Sequence, residues 1–133
     1  ALPQAERAAR AMLAAAETDW DQAVALSLLG DVQQAQGDLT AALANYQRTF
    51  ETMERLAEAD PSSAVVQRDL SASLDRLGDV QQAQGDLRSA LANYQRSLAI
   101  RKRLAESDPS SAVAQRDLSV SLSKLGEVQQ AQG

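Results

Sequence analysis

The chain has 133 residues, 13 Lys+Arg against 18 Asp+Glu for a formal charge of −5, and neither His nor Cys. The missing His and Cys exclude a disulfide framework, a thiol nucleophile, a Ser-His triad and the usual zinc or haem ligation. The acidic balance argues against nucleic acid and anionic membranes as partners, and a 44% hydrophobic share rich in Ala predicts a thin core. From about Pro3 to Glu17 the sequence is Ala-rich and helix-favouring, and Thr18 with Asp21 forms a capping pair that opens the next helix. Further along, Leu70, Leu74, Leu77 and Gln81 share one helical stripe. That helix is expected to start after Asp60-Pro61, with Asp as cap and Pro in the first turn, and to end near Gly85. Asp86 then caps a helix carrying Leu87, Ala90, Leu91, Tyr94 and Leu98, which runs past Leu104 and stops before Asp108-Pro109. Six helices and no strand are predicted.

No apolar run approaches the ~20 residues of a membrane span, so the chain reads as soluble. Glu6, Arg7 and Arg10 interrupt any secretory h-region, and a start at Ala1 points to a processed or excised piece. The compartment is left open, with cytoplasm favoured, because absent Cys suits either redox side.

Self-similarity organises everything after residue 17. The segment Gly30-Asp31-Val32-Gln33-Gln34-Ala35-Gln36-Gly37 recurs with a period of 48 at Gly78–Gly85 and, with Glu127 for Asp, at Gly126–Gly133. Ala44-Asn45-Tyr46-Gln47-Arg48 returns as Ala92-Asn93-Tyr94-Gln95-Arg96, and Asp60–Val65 as Asp108–Val113. The organisation read from this is an N-terminal helix at 1–17, units at 18–59 and 60–107, and the first helix of a third unit at 108–133.

These residues resemble the tetratricopeptide repeat, whose signature is W-x2-L-G-x2-Y, A-x3-F and P. Unit one offers Leu26-x2-Leu29-Gly30, Ala42-x3-Tyr46 and Pro61; unit two offers Leu74-x2-Leu77-Gly78, Ala90-x3-Tyr94 and Pro109; the third offers Leu122-x2-Leu125-Gly126. The signature Trp is Leu here, its Tyr is Gln (Gln33, Gln81, Gln129), and the period of 48 exceeds the usual ~34. About seven extra residues per helix, roughly two turns, keep the buried face in phase, as in lengthened bacterial repeats. The resemblance implies an all-α, right-handed α-solenoid of stacked antiparallel helix pairs. It further implies a non-catalytic scaffold for protein–protein interaction, with no cofactor and no metal.

In such arrays the first helix of each pair lines a concave groove. Its exposed face corresponds to Val24, Ser27, Asp31 and Gln34; Ala72, Asp75, Asp79 and Gln82; and Val120, Ser123, Glu127 and Gln130. Helices ~8–10 Å apart would space Asp31, Asp79 and Glu127 as an acidic ladder, backed by Gln34, Gln82 and Gln130. An extended peptide advancing ~3.3 Å per residue, with a basic side chain about every third position, matches that step. The alternative is that these carboxylates merely solubilise the surface. Groove subtypes that clamp carboxylates use Asn and Lys/Arg; only Arg76 and Lys124 fit that role here, and acids stand where the Asn would be.

Other features have plainer readings. Gly30, Gly78 and Gly126 allow close approach of the helix bearing Ala42 or Ala90, and no Gly-rich strand-to-helix turn makes them a phosphate cradle. Tyr46 and Tyr94 are core residues, Trp20 either covers the first unit or anchors a partner, and Arg101-Lys102-Arg103 is a solvated helix face. Ser62-Ser63 and Ser110-Ser111 carry helix-start chemistry, with no base nearby to make a nucleophile, and the carboxylates match neither a calcium loop nor a glycosidase pair. A competing function is self-assembly: the last helix would show Leu118, Leu122 and Leu125 uncovered, an edge that invites a homo-oligomer.

Overall fold

Five short polar side chains punctuate the chain. Thr18, Asp38, Ser63, Asp86 and Ser111 each accept the backbone N–H three residues on, satisfying a donor that the first helical turn leaves over. In a computed structural model describing residues 2–133, the helices are α1 (Leu2–Ala15), α2 (Asp19–Ala35), α3 (Leu39–Ala59), α4 (Ala64–Ala83), α5 (Leu87–Ser107) and α6 (Ala112–Gln132). No strand occurs among the described residues.

The turn from α2 to α3 needs a left-handed residue, and Gly37 supplies it at φ 82°. Its N–H bonds the carbonyl of Gln34, while the Asp38 N–H reaches that of Gln33, which closes the helix end and leaves Asp38 placed to cap α3. Gly85 and Asp86 repeat this between α4 and α5. The other turn differs from expectation. Asp60 ends α3, donating its N–H to the Leu56 carbonyl, and its carboxylate takes the Ser62 hydroxyl; the cap of α4 is Ser63, and Pro61 lies outside the helix. Asp108, Pro109 and Ser111 follow the same plan before α6.

Each helix packs chiefly on the next, giving an α-solenoid. Polar bonds tie α2 to α4 and α4 to α6, so these first helices form one layer, while Arg96 on α5 reaches Glu54 on α3 across the other. Leu74, Leu77 and Val80 from α4 meet Tyr46, Phe50 and Met53 from α3 in the larger core cluster, against which Trp20 also packs. Such side chains contribute roughly 1.5–3 kcal/mol each when fully buried. A smaller cluster joins Ala90 and Tyr94 of α5 to Leu125 and Val128 of α6.

At Gly30 and Gly78 the helix bearing Ala42 or Ala90 does approach closely, and it does so through a tyrosine ring. An added Cβ on Gly30 would lie 2.6 Å from Cε1 of Tyr46, and on Gly78 2.6 Å from Cε1 of Tyr94. It is therefore the tyrosine rings, not the small Ala42 and Ala90 side chains, that require glycine. At Gly126 a Cβ would meet nothing within 4 Å.

Candidate partner-binding face

The Gln that replaces the signature Tyr is matched by an Asn on the paired helix. Asn45 donates to Gln33 and Asn93 to Gln81, each at 2.7 Å, so an amide pair joins the two helices of each unit at this position. The residue after each Asn, the tyrosine that lies over its glycine, carries its hydroxyl to an acid. Tyr46 donates to Asp31, with Gln34 as a second acceptor at 3.2 Å; Tyr94 donates to Asp79, with Gln82 at 3.3 Å. Burial first, then the adjacent carboxylate, holds both phenols well above the ordinary tyrosine range, so they are permanent donors.

The next unit completes each carboxylate. Arg76 Nε donates to Asp31 at 3.2 Å and Lys124 Nζ to Asp79 at 2.8 Å, with the Lys124 ammonium also 5.6 Å from the Tyr94 ring centroid. The expected ladder is thus braced from within: Asp31 and Asp79 are half-exposed acceptors already shared between a tyrosine and a cation, not free anions. Glu127, Gln130 and Ser123 are exposed on α6, and Glu127 makes no ion pair.

Two expected groove residues turn inward. Ser27 is 9% exposed and its hydroxyl has no partner; Asp75 is 6% exposed and pairs with Arg101. Arg101 itself corrects the reading of residues 101–103 as a solvated face, since only Lys102 and Arg103 are exposed. Its guanidinium also donates to Ser71 Oγ at 3.2 Å, to the Asp117 carbonyl at 3.3 Å and to Ser121 Oγ at 2.9 Å, crossing from α5 to α4 and α6. Desolvation pushes the Asp75 carboxyl up from its usual range, and Arg101 pulls against that shift. Sequence periodicity carried a signal for this pair: at the period of 48, Ser27 and Met53 of unit one become Asp75 and Arg101 in unit two, an acid and a base arriving together.

Of the proposed edge, Leu122 is 56% exposed, Leu118 is half-buried, and Leu125 is 8% exposed because it packs into the cluster with Tyr94. Leu125 is therefore core. Residues not singled out earlier complete the face: Leu28 and Asp69, with Val24 and Ala72, line a cavity of about 170 Å³ between α2 and α4, floored by Thr49 and Met53 of α3. Among the described residues no three His, Cys, Asp or Glu gather as a metal site, and no helix is long and apolar enough to cross a membrane.

A search of curated proteins returns no match. The tetratricopeptide-repeat model matches residues 21–84 and again 69–133, the two stretches over which the Gly–Tyr contact and the Tyr–Asp bond recur or have their first half in place. With helix pairs, small-residue contacts and sequence signature in agreement over most of its length, the chain belongs to the tetratricopeptide-repeat family, whose domains generally mediate protein–protein interactions.

Proposed function

We propose that the chain is a non-catalytic scaffold holding a basic peptide or helix of a partner protein along the exposed face of α2, α4 and α6. The observation that carries this reading is the make-up of that face. Leu28 (40% exposed) and Val120 (41%) offer apolar contact, while Gln34, Gln82, Gln130 and the carboxylates of Asp31, Asp79 and Glu127 offer acceptors along one line. Arg76 and Lys124 offset two of those charges, so attraction for a basic partner centres on the residual acidity near Asp69 and Glu127. Rim charges of this kind chiefly set association rate and salt dependence.

The test is a titration of labelled basic peptides at low and high salt, repeated on the Asp79→Asn/Glu127→Gln variant. That variant removes charge while keeping an acceptor for Tyr94. Binding should weaken with salt and in the variant; unchanged affinity in both sinks the reading. Self-association is the second reading, favoured by exposed Leu122 and by the open space at Gly126. Mass against concentration by light scattering tests it, with Leu122→Glu expected to give monomers.

A further inference from the structure

The two interfaces between successive first helices are built from equivalent positions but differ in their centres. Between α4 and α6, Arg101 rises from α5 and its guanidinium is held by Asp75, Ser71, Ser121 and the Asp117 carbonyl. Forty-eight residues earlier, between α2 and α4, Met53 replaces Arg101, Ser27 replaces Asp75 and Ser73 replaces Ser121. The shorter reach of Met53 leaves the cavity of about 170 Å³, into which face the positions that would hold a guanidinium. The Ser27 hydroxyl there is more than nine-tenths buried and without a hydrogen-bond partner.

The rim differs in the same sense. Asp117 is paired with Arg68 at 2.9 Å, whereas its counterpart Asp69 lines the cavity with neither an ion pair nor a hydrogen bond, because Trp20 occupies the position equivalent to Arg68. The Arg76 guanidinium at the same rim is engaged by Asp31. Desolvation raises the Asp69 carboxyl above its usual range, with Arg68 and Arg76 pulling against that shift.

We propose that this cavity is a receptor pocket for an arginine side chain of the partner, its guanidinium taking the place that Arg101 fills in the next interface. The pocket rests on the reading of this face as the partner-binding surface and adds to it the side chain recognised. Size allows it, since cavities of about 150 Å³ accept a benzene-sized group, which is larger than a guanidinium. Met53, Val24 and Leu28 would pack on the three-carbon stem, Ser27 and Ser73 would accept from the fork, and Asp69 would supply the charge. A lysine ammonium lacks the planar fork, and an aliphatic side chain would leave Ser27 and Asp69 unanswered.

The experiment is an NMR shift titration of the whole chain with blocked pentapeptides carrying Arg, citrulline, Lys or Leu at the centre. Citrulline keeps the shape and removes the charge. Arg is expected to bind about tenfold tighter than citrulline, the scale of a charge-assisted hydrogen bond, and Asp69→Asn is expected to close most of that gap. The Ser27→Asp/Met53→Arg variant installs the second interface's own guanidinium and should abolish the preference for Arg. Should that variant not fold, the citrulline comparison on the parent chain and the mild Asp69→Asn change decide the matter alone. Equal binding of Arg and Lys peptides, both tighter than citrulline and indifferent to Asp69→Asn, overturns the pocket and leaves the face reading standing. No binding by any peptide overturns both.

Discussion

The ion pair between Asp75 and Arg101 allows a sharp prediction, because both side chains are 8% exposed and their charges respond differently to pH. Replacing Arg101 with Met removes four donated bonds and leaves a buried carboxylate whose Oδ1 already has no partner. Breaking one side of a buried pair costs about 3–5 kcal/mol. The carboxyl can escape by taking a proton, which limits its share of the cost. Keeping an ordinary Asp neutral costs about 1.4 kcal/mol per pH unit above about 3.9, hence about 4 kcal/mol at pH 7 and about 1.5 at pH 5. A raised folded pKa means that the folded state binds the proton more readily, so this variant's deficit shrinks as pH falls through that raised value towards the unfolded one. Asp75→Ser leaves a guanidinium that cannot deprotonate, so its deficit should not shrink over the same interval. The double variant recreates the Ser27/Met53 arrangement of unit one and should lose well under the sum of the two single deficits, since neither charge is left buried alone. Urea unfolding followed by circular dichroism at pH 7 and pH 5 measures all four proteins, and each single change should lower Tm at pH 7 on the order of 10–20 °C. Additive single effects, or a pH-independent Arg101→Met deficit, would refute the reasoning.

Gly78→Ala should destabilise by about 1–3 kcal/mol because the new methyl meets the Tyr94 ring, whereas Gly126→Ala, in open space, should gain up to about 1 kcal/mol from helix propensity; denaturant midpoints give both signs. Tyr94→Phe should cost about 1.5–3 kcal/mol by depriving Asp79 of a buried donor, read from the same curves. The Asp86 carboxylate is held below its usual range by the Ser89 hydroxyl and N–H, so its stabilisation is present above its unfolded pKa and is lost as pH falls through the depressed folded value. Asp86→Asn, which caps without titrating, should therefore flatten the acid limb of stability below about pH 4.

The capping side chains and the apolar stripes were legible because each depends on residues three to eight apart, the range over which one helix determines its own faces, and the period of 48 because the sequence itself repeats. Tyr94 could be placed in the core on that basis, and it is 1% exposed. Asp75 could not be placed so well. It shares helical spacing with Asp79, and what separates buried from half-exposed is a cation delivered by Arg101, 26 residues away on another helix. Asp60 failed as a cap for a similar reason: its backbone N–H closes α3 on the Leu56 carbonyl and its carboxylate takes the Ser62 hydroxyl, leaving Ser63 to cap α4. The bracing of Asp31 was half visible, in that Arg76 and Lys124 were recognised as groove cations but not as partners of the acids.

The cross-ties also distribute stiffness unevenly. Arg76–Asp31, Arg68–Asp117 and Lys124–Asp79 bind successive first helices to one another, while among the described residues the second helices share a single exposed link, Arg96 to Glu54 at 3.3 Å, with the guanidinium over Phe50. Under bending, the tied side acts as the spine and the α3–α5 side as the part that opens like a fan. A partner lying along the spine would then meet receptor sites whose spacing stays nearly constant while the array as a whole flexes.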